Sequence, residues 1–334
     1  MTGSETRVAS VPVLVTGAGG FIGSHLVEGL VRAGAQVRAF VRYTSTGGHG
    51  HLDELAPDVA AEVEIYRGDL ADGDAVAGAV DGRGVVFHLG AVIPIPYSFR
   101  HPREYVAVNV EGTLNVLQAA RDGGVERIVQ MSSSEVYGSA QTVPISEEHP
   151  LRAQSPYAAT KIGADQLALS FQRSFGLPVV VARPFNTFGP RQSARAVIPA
   201  IAAQALTGSV VELGSLEPTR DFLYVADNVA GLIRCATVPG IEGETLNLGT
   251  GSETSIGEVA EKILAALGSS ASIVTVDERV RPAEAEVDRL VADTSKARRL
   301  LSWEPETPFE DGLRHTLDWV RDHLAAYRPA VYNV

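Results

Sequence analysis

Short apolar runs alternate with amphipathic stretches along the first half of the chain. Val13-Leu14-Val15, Val37 to Val41, Val63-Glu64-Ile65, Val85-Val86-Phe87-His88, Ile128-Val129-Gln130-Met131 and Val179-Val180-Val181 read as strands. Helical stretches lie between them, such as Ile22 to Ala33, which stops at Gly34. Strand and helix in alternation predict an α/β fold built on a parallel sheet covered on both faces. Pro12 fits only at a strand start, because it has no N–H to give to a ladder.

One helix is marked at both ends. Ser155 is an expected N-cap, Pro156 suits the first helical position, and Gly176 suits the stop. Leu167, Phe171 and Phe175 fall on one stripe of it, which suits core packing or a seam between two copies. After about Arg183 the pattern breaks into short pieces at Pro184, Gly189, Pro190, Pro199, Gly208 and Gly214, and helices recur at Ile256 to Leu267 and Phe309 to Ala325. The expected division is a dinucleotide-binding lobe over 1–182 and a smaller α/β substrate lobe over 183–334, with some chain returning to the first lobe.

Bulk properties narrow the partners. The 334 residues carry a net charge of -12, which argues against a nucleic-acid footprint, since that needs a basic patch or stripe. Cys235 is the only cysteine, so no internal disulfide forms and the thiol is expected as a small core hydrophobe. The first ten residues are polar, and no apolar run approaches the length of a membrane span. The expected setting is the cytoplasm, with no membrane partner and no metal. His49 and His51 have no further ligand set at recognisable spacing and are expected as loop residues.

The candidate chemistry starts at Thr16-Gly17-Ala18-Gly19-Gly20-Phe21-Ile22-Gly23, which follows the first strand and opens a helix. Gly17, Gly20 and Gly23 suit a tight turn, close approach to a pyrophosphate and close helix packing. The helix start supplies free N–H donors to the phosphates. A carboxylate at the end of the second strand would select NAD, but that strand ends Phe40-Val41-Arg42-Tyr43-Thr44-Ser45. Arg42 therefore either holds a 2′-phosphate, which would make the cofactor NADP, or is a solvated strand end. Asp69 stands where a carboxylate would accept from an adenine amine, or is a surface turn residue. Gly90, in His88-Leu89-Gly90-Ala91, would let a cofactor lie close, and His88 is expected as a buried, satisfied side chain. Downstream, Tyr157 and Lys161 are spaced four apart, on one helical face. An ammonium there is expected to lower the phenol's pKa, so that it takes a proton from an alcohol while hydride leaves the same carbon.

With Ser132-Ser133-Ser134-Glu135-Val136-Tyr137-Gly138 after the fifth strand, these motifs resemble the extended short-chain dehydrogenase/reductases that act on nucleotide sugars. The resemblance covers nearly the whole chain, through Asn109 in Asn109-Val110-Glu111-Gly112-Thr113, Arg183-Pro184-Phe185-Asn186, Arg220-Asp221-Phe222 and Arg281-Pro282-Ala283-Glu284. Gly189-Pro190-Arg191-Gln192-Ser193-Ala194-Arg195-Ala196-Val197-Ile198-Pro199 is most similar to the NAD-dependent 4,6-dehydratases of legionaminic-acid-type pathways. The resemblance implies a Rossmann-type doubly wound sheet, NAD, a nucleotide-diphosphate sugar as substrate and a homodimer.

It also implies roles. Ser133 would bind the reacting hydroxyl, Tyr157 would be its base, and Lys161 would hold the nicotinamide ribose. Phe21, Ile22, Leu70, Leu89, Ala91, Asn109 and Pro184 would lie along the cofactor. Asn186, Ser134 and Val197 would face the substrate, and Arg220 and Arg281 would clamp its diphosphate. Glu135 would remove the C5 proton in a 4,6-dehydration. Many dehydratases of deoxysugar pathways carry Asp beside that base, whereas this chain has Ser134. The same machinery serves 4-epimerases and uronate decarboxylases, and a non-catalytic dinucleotide sensor would not need Ser133, Tyr157 and Lys161 together.

Overall fold

The computed structural model describes residues 11–279 and 287–327. Strands β1 (Val13–Thr16), β2 (Val37–Val41), β3 (Val63–Arg67), β4 (Val85–His88), β5 (Arg127–Met131) and β6 (Val179–Pro184) join β11 (Thr245–Leu248) in a seven-stranded sheet. Its order is β11-β6-β5-β4-β1-β2-β3, and each adjacent pair is parallel. The chain first winds outward from β1 through β2 to β3, then returns to β4 on the other side of β1. Thr16 and His88 end neighbouring strands at that reversal. An open α/β sheet binds its ligands in the crevice such a reversal leaves.

Alternation of side chains along β1 builds two cores. Val13 and Val15 face the helix Phe21–Arg32 and the later helix Val225–Thr237, meeting Leu26, Val27, Leu30, Leu232 and the fully buried Cys235. Leu14 faces the helices Gly112–Asp122 and Pro156–Phe175, where Val116, Leu117, Ala168 and Phe171 pack. Of the expected stripe on the second helix, Phe171 is buried and Phe175 remains 55% exposed. That helix has the ends its sequence predicts: Ser155 Oγ accepts from Ala158 N at 3.1 Å, and Gly176 closes it at φ 69°.

Beyond β6 the strands shorten. β7 (Asn186–Phe188) pairs with β10 (Phe222–Tyr224), β8 (Val210–Leu213) pairs with β13 (Ser272–Thr275), and β9 (Thr219–Arg220) lies between β12 (Thr254–Ser255) and β14 (Arg289–Leu290). Helices Val197–Thr207, Ile256–Leu267 and Phe309–Asp322 close over Phe188, Ile201, Val211, Ile263 and Leu317 as a third core. The last helix stops at Asp322, where the sequence suggests Ala325, and a separate turn of helix follows over Leu324–Tyr327. The chain does not divide once and for all: β11, Cys235 and Trp303 belong to the first core although they follow β7 to β10.

Candidate active site

A cleft of about 830 Å³ opens at the C-terminal ends of β1, β2 and β4. Gly17, Gly20, Phe21, Ile22, Gly23, Arg42, Asp69, Leu70, Leu89, Gly90 and Ala91 all line it. Two glycines are required by space. Gly17 sits at φ +68°, and a Cβ there would come 2.8 Å from Gly90 N. A Cβ on Gly23 would come 2.2 Å from Gly17 O. The helix start at Gly20 has no side-chain cap, so the first-turn N–H groups stay available at the cleft wall. A bare backbone wall with a helix N-terminus fits a dinucleotide pyrophosphate.

The cleft also has a wall that the motifs do not indicate. His49 hydrogen-bonds through Nδ1 to Asp53 at 2.9 Å and lines the cleft with Thr44, Gly48 and Gly50. Its carbonyl O lies where a Cβ on Gly19 would stand, at 2.4 Å. At the far end Tyr97 donates to Glu104 Oε2 at 2.7 Å, and Arg195 joins the lining. Asn109, Pro184, Tyr157 and Lys161, expected at the cofactor, do not line the cleft itself. Asn109 is buried behind it, its amide committed to Val92 and Thr160. Pro184 is buried in β6 beside Leu248.

Met131 ends the cleft, and its carbonyl accepts from Lys161 Nζ at 2.5 Å. From here the expected catalytic residues come together. Ser133 caps the 3-10 turn Ser134–Tyr137, its Oγ accepting from Glu135 N at 3.2 Å. The same hydroxyl hydrogen-bonds Tyr157, and the half-buried Glu135 is near enough for its charge to act on that phenol. Tyr157 and Lys161 are both buried, at 7% and 5% exposure. Ser134 is buried in the turn beside Glu135.

One expectation fails. Burial pushes the Tyr157 phenol above its ordinary range, opposed by the Ser133 hydrogen bond and reinforced by the charge of Glu135. Lys161 does not lower it. The ammonium turns to the Met131 carbonyl and is itself pushed down to about 8 by burial, with Asp165 opposing. A spacing of four brings two side chains to one face; it does not make them partners.

Asp165, which the sequence reading does not single out, continues the stripe of Tyr157 and Lys161 by another four residues, a spacing that could have pointed to it. Its Oδ2 accepts from Ser132 Oγ at 2.7 Å and from Arg183 Nη2 at 3.1 Å. Arg183 reaches on to the Tyr137 hydroxyl at 3.0 Å. A buried ion pair thus braces the underside of the Ser132–Tyr137 turn.

The expected sugar-side residues stand on the shorter strands. Asn186 opens β7, and its Oδ1 is buried without a hydrogen-bond partner. Arg220 is 7% exposed on β9, unlike a solvated surface arginine, and Nη1 donates to Thr219 O at 2.9 Å. Val197 begins the helix Val197–Thr207. Arg281 lies outside the described residues. Among the described residues no helix is long and apolar enough to cross a membrane.

Comparison with known proteins agrees with this geometry. A family described as GDP-mannose 4,6 dehydratase matches residues 14–316. A dTDP-glucose 4,6-dehydratase of Streptomyces niveus is 34% identical over 327 residues, covering 95% of this chain and 95% of that protein. A UDP-glucose 4-epimerase of Mycolicibacterium smegmatis is 33% identical over 316 residues, covering 92% and 97%. The solved structure of MoeE5 in complex with UDP-glucose and NAD is 34% identical, with a TM-score of 0.83 over 94% of this chain and 99% of that one.

Proposed function

We propose, from the premise that this chain belongs to the GDP-mannose 4,6-dehydratase family, that it is an NAD-dependent enzyme catalysing redox-neutral 4,6-dehydration of a nucleoside-diphosphate sugar. The observation that carries this reading is Glu135, a half-buried carboxylate on the turn capped by Ser133 and within electrostatic reach of Tyr157. An enzyme that only oxidised and reduced C4 would need no such base.

Bound NAD would supply hydride transfer, from C4 outward and back to C6. Ser133 hydrogen-bonds the C4 hydroxyl while Tyr157, whose phenolate the positive charge of bound NAD would favour against the burial that raises it, takes its proton. Lys161 holds the nicotinamide ribose, and Gly17, Gly20, Phe21, Ile22 and Gly23 receive the pyrophosphate. A ketone at C4 acidifies the C5 proton, which Glu135 removes. The proton Glu135 took passes through a water that Ser134 orients to the C6 hydroxyl, which leaves as water, and once C6 is reduced C5 takes back a proton as Tyr157 releases the one it holds. Asn186 and Val197 border the sugar, and Arg220 and Arg281 hold the diphosphate. Exposed Phe99, Val106 and Phe175 offer apolar surface that supports a homodimer, and we place that dimer in the cytoplasm.

A 4-epimerase is the second reading. Ser134 favours it, because no carboxylic acid stands next to Glu135 to protonate a leaving hydroxyl, and the Mycolicibacterium relative carries that activity in its name.

Mass spectrometry of the purified chain with dTDP-, UDP- and GDP-sugars, without added cofactor, separates the readings. Loss of one water mass is the expected result. Inversion at C4 by NMR with no mass change would establish the epimerase instead. Glu135→Gln is expected to stop after C4 oxidation and accumulate reduced nicotinamide absorbance. Undiminished product from that variant would remove Glu135 from the mechanism.

A further inference from the structure

Several buried polar side chains have no task in this reading. Thr16, His88, Thr113 and Thr160 are each 6% exposed or less, yet all are hydrogen-bonded. With Asn109 they form one unbroken path. Gly90 N donates to Thr16 Oγ1 at 3.0 Å, and Thr16 Oγ1 meets His88 Nδ1 at 2.7 Å. His88 Nε2 meets Thr113 Oγ1 at 3.1 Å, and Thr113 Oγ1 donates to Asn109 O at 2.6 Å. Asn109 Nδ2 donates to Thr160 Oγ1 at 3.1 Å, and Thr160 Oγ1 donates to Tyr157 O at 2.8 Å.

The proton directions follow by elimination. A carbonyl only accepts, so the single hydroxyl proton of Thr113 goes to Asn109 O. His88 Nε2 must then donate to Thr113. Burial holds the imidazole's pKa down to about 3, so the ring is neutral and Nδ1 accepts from Thr16. The Thr16 oxygen is left to accept from Gly90 N. Asn109 grips the same loop two residues on, with Oδ1 accepting from Val92 N at 2.8 Å and Nδ2 donating to Val92 O at 3.0 Å. Gly90 and Val92 both line the cleft.

We propose that His88 is a positioning residue that joins the loop bordering the cofactor to the start of the helix carrying Tyr157, one ring nitrogen serving each side. The inference rests on the reading above, in which the 90–92 loop is a cofactor wall and Tyr157 is the base. A phenol shifted relative to the nicotinamide carbon loses rate steeply, because reaction needs near-contact geometry. The ring is suited to the task because only a neutral imidazole has a donor and an acceptor at opposite edges of a rigid plane.

Two substitutions divide the functions. The amide of His88→Asn overlies Nδ1 and keeps the contact to Thr16; the amide of His88→Gln overlies Nε2 and keeps the contact to Thr113. For His88→Asn we expect NAD affinity, titrated calorimetrically on the full chain, to stay within about twofold while kcat falls about tenfold. For His88→Gln we expect the reverse: NAD affinity weaker by about tenfold, with kcat at saturating NAD nearly kept. Thr113→Val cuts the path beyond His88 and should behave like His88→Asn, whereas Thr113→Ser should restore the rate.

Equal losses in both His88 variants, or a lowered Tm with unchanged affinity and kcat, would reduce His88 to core packing and overturn the proposal. So would an unchanged kcat in Thr113→Val, which decides the matter if the His88 variants do not fold. The affinity split and faster amide hydrogen exchange at Tyr157 and Ala158 in His88→Asn need no turnover. They therefore test His88 even if the wild-type chain dehydrates none of the sugars offered. Absence of both in a folded His88→Asn and His88→Gln pair overturns the proposal independently of the substrate.

Discussion

The glycine-lined cleft and the region of short strands, proposed as the cofactor and sugar sides, differ in what fixes their shape. Along the cleft, backbone meets backbone: Gly17 lies against Gly90, Gly19 against His49, and Gly23 against Gly17, each too close for a side chain. On the sugar side, strands of two or three residues are gathered by one buried carboxylate. Asp221 Oδ1 accepts from Thr250 N at 2.8 Å and Thr250 Oγ1 at 2.7 Å, and Oδ2 accepts from Gly251 N at 2.9 Å and Ala292 N at 3.1 Å. Burial pushes the Asp221 pKa up, and those donors oppose it. A site built by close approach is damaged by adding an atom. A site gathered by an anchor is damaged by removing one.

Asp221→Ala attacks the anchor and should have the largest effect. It strands three backbone N–H groups and should cost about 3–5 kcal/mol of stability, read as a fall in urea midpoint. NAD affinity of the folded chain should be unchanged. A midpoint within error of wild type would mean that the short strands hold their positions without Asp221.

Gly23→Ala attacks the close approach. NAD affinity should fall about 100-fold, or roughly 2.7 kcal/mol, while the sugar side keeps its fold. Wild-type affinity in that variant would show that the turn relaxes around an added methyl and that closeness does not define the cleft.

The smallest effect is expected where the two regions touch. His25, on the helix after the glycine turn, donates through Nε2 to Pro190 O at 3.0 Å. Burial lowers its pKa from 6.5 to about 4. The unfolded imidazole takes its proton near pH 6.5, and the folded one resists until about 4. Its contribution to stability is therefore complete above pH 6.5 and is lost as the pH falls toward 4. His25→Gln keeps a donor but does not titrate, so its urea midpoint should drop less between pH 7.5 and pH 4.5. Parallel declines in the two proteins would assign the acid sensitivity to other groups.

The cleft was far more legible in the sequence than the sugar side, and the reason is physical. Glycines at fixed offsets after an apolar run leave few alternatives, and the strands β1 to β6 announce themselves by buried aliphatic runs. The helix over 156–175 was legible because its two ends carry the residues that backbone sterics demand. A motif gives a residue's neighbourhood, not its direction: the Asn109 amide bonds Val92 and Thr160 behind the cleft wall. The lowered phenol was misread for a related reason, since helical spacing is blind to burial. That Tyr97, Glu104 and Arg195 share the cleft is not legible, because nothing local links residues near 100 to a loop near 195. β9, β12 and β14 are two residues each, too short to carry any periodicity.

β11 is the outermost strand on its side of the large sheet, and it pairs with β6, which precedes it by all of β7 to β10. As the chain leaves the ribosome, β6 emerges with one flank unpaired and stays so until Thr245–Leu248 follows. Val179, Val180, Val181 and Ala182, all wholly buried in the finished protein, then present a bare aliphatic edge to whatever is nearby. A nascent chain halted short of β11 would thus carry the glycine turn and the helix over 156–175 beside a sticky margin. The stretch most exposed to aggregation during synthesis is one of the best protected afterwards.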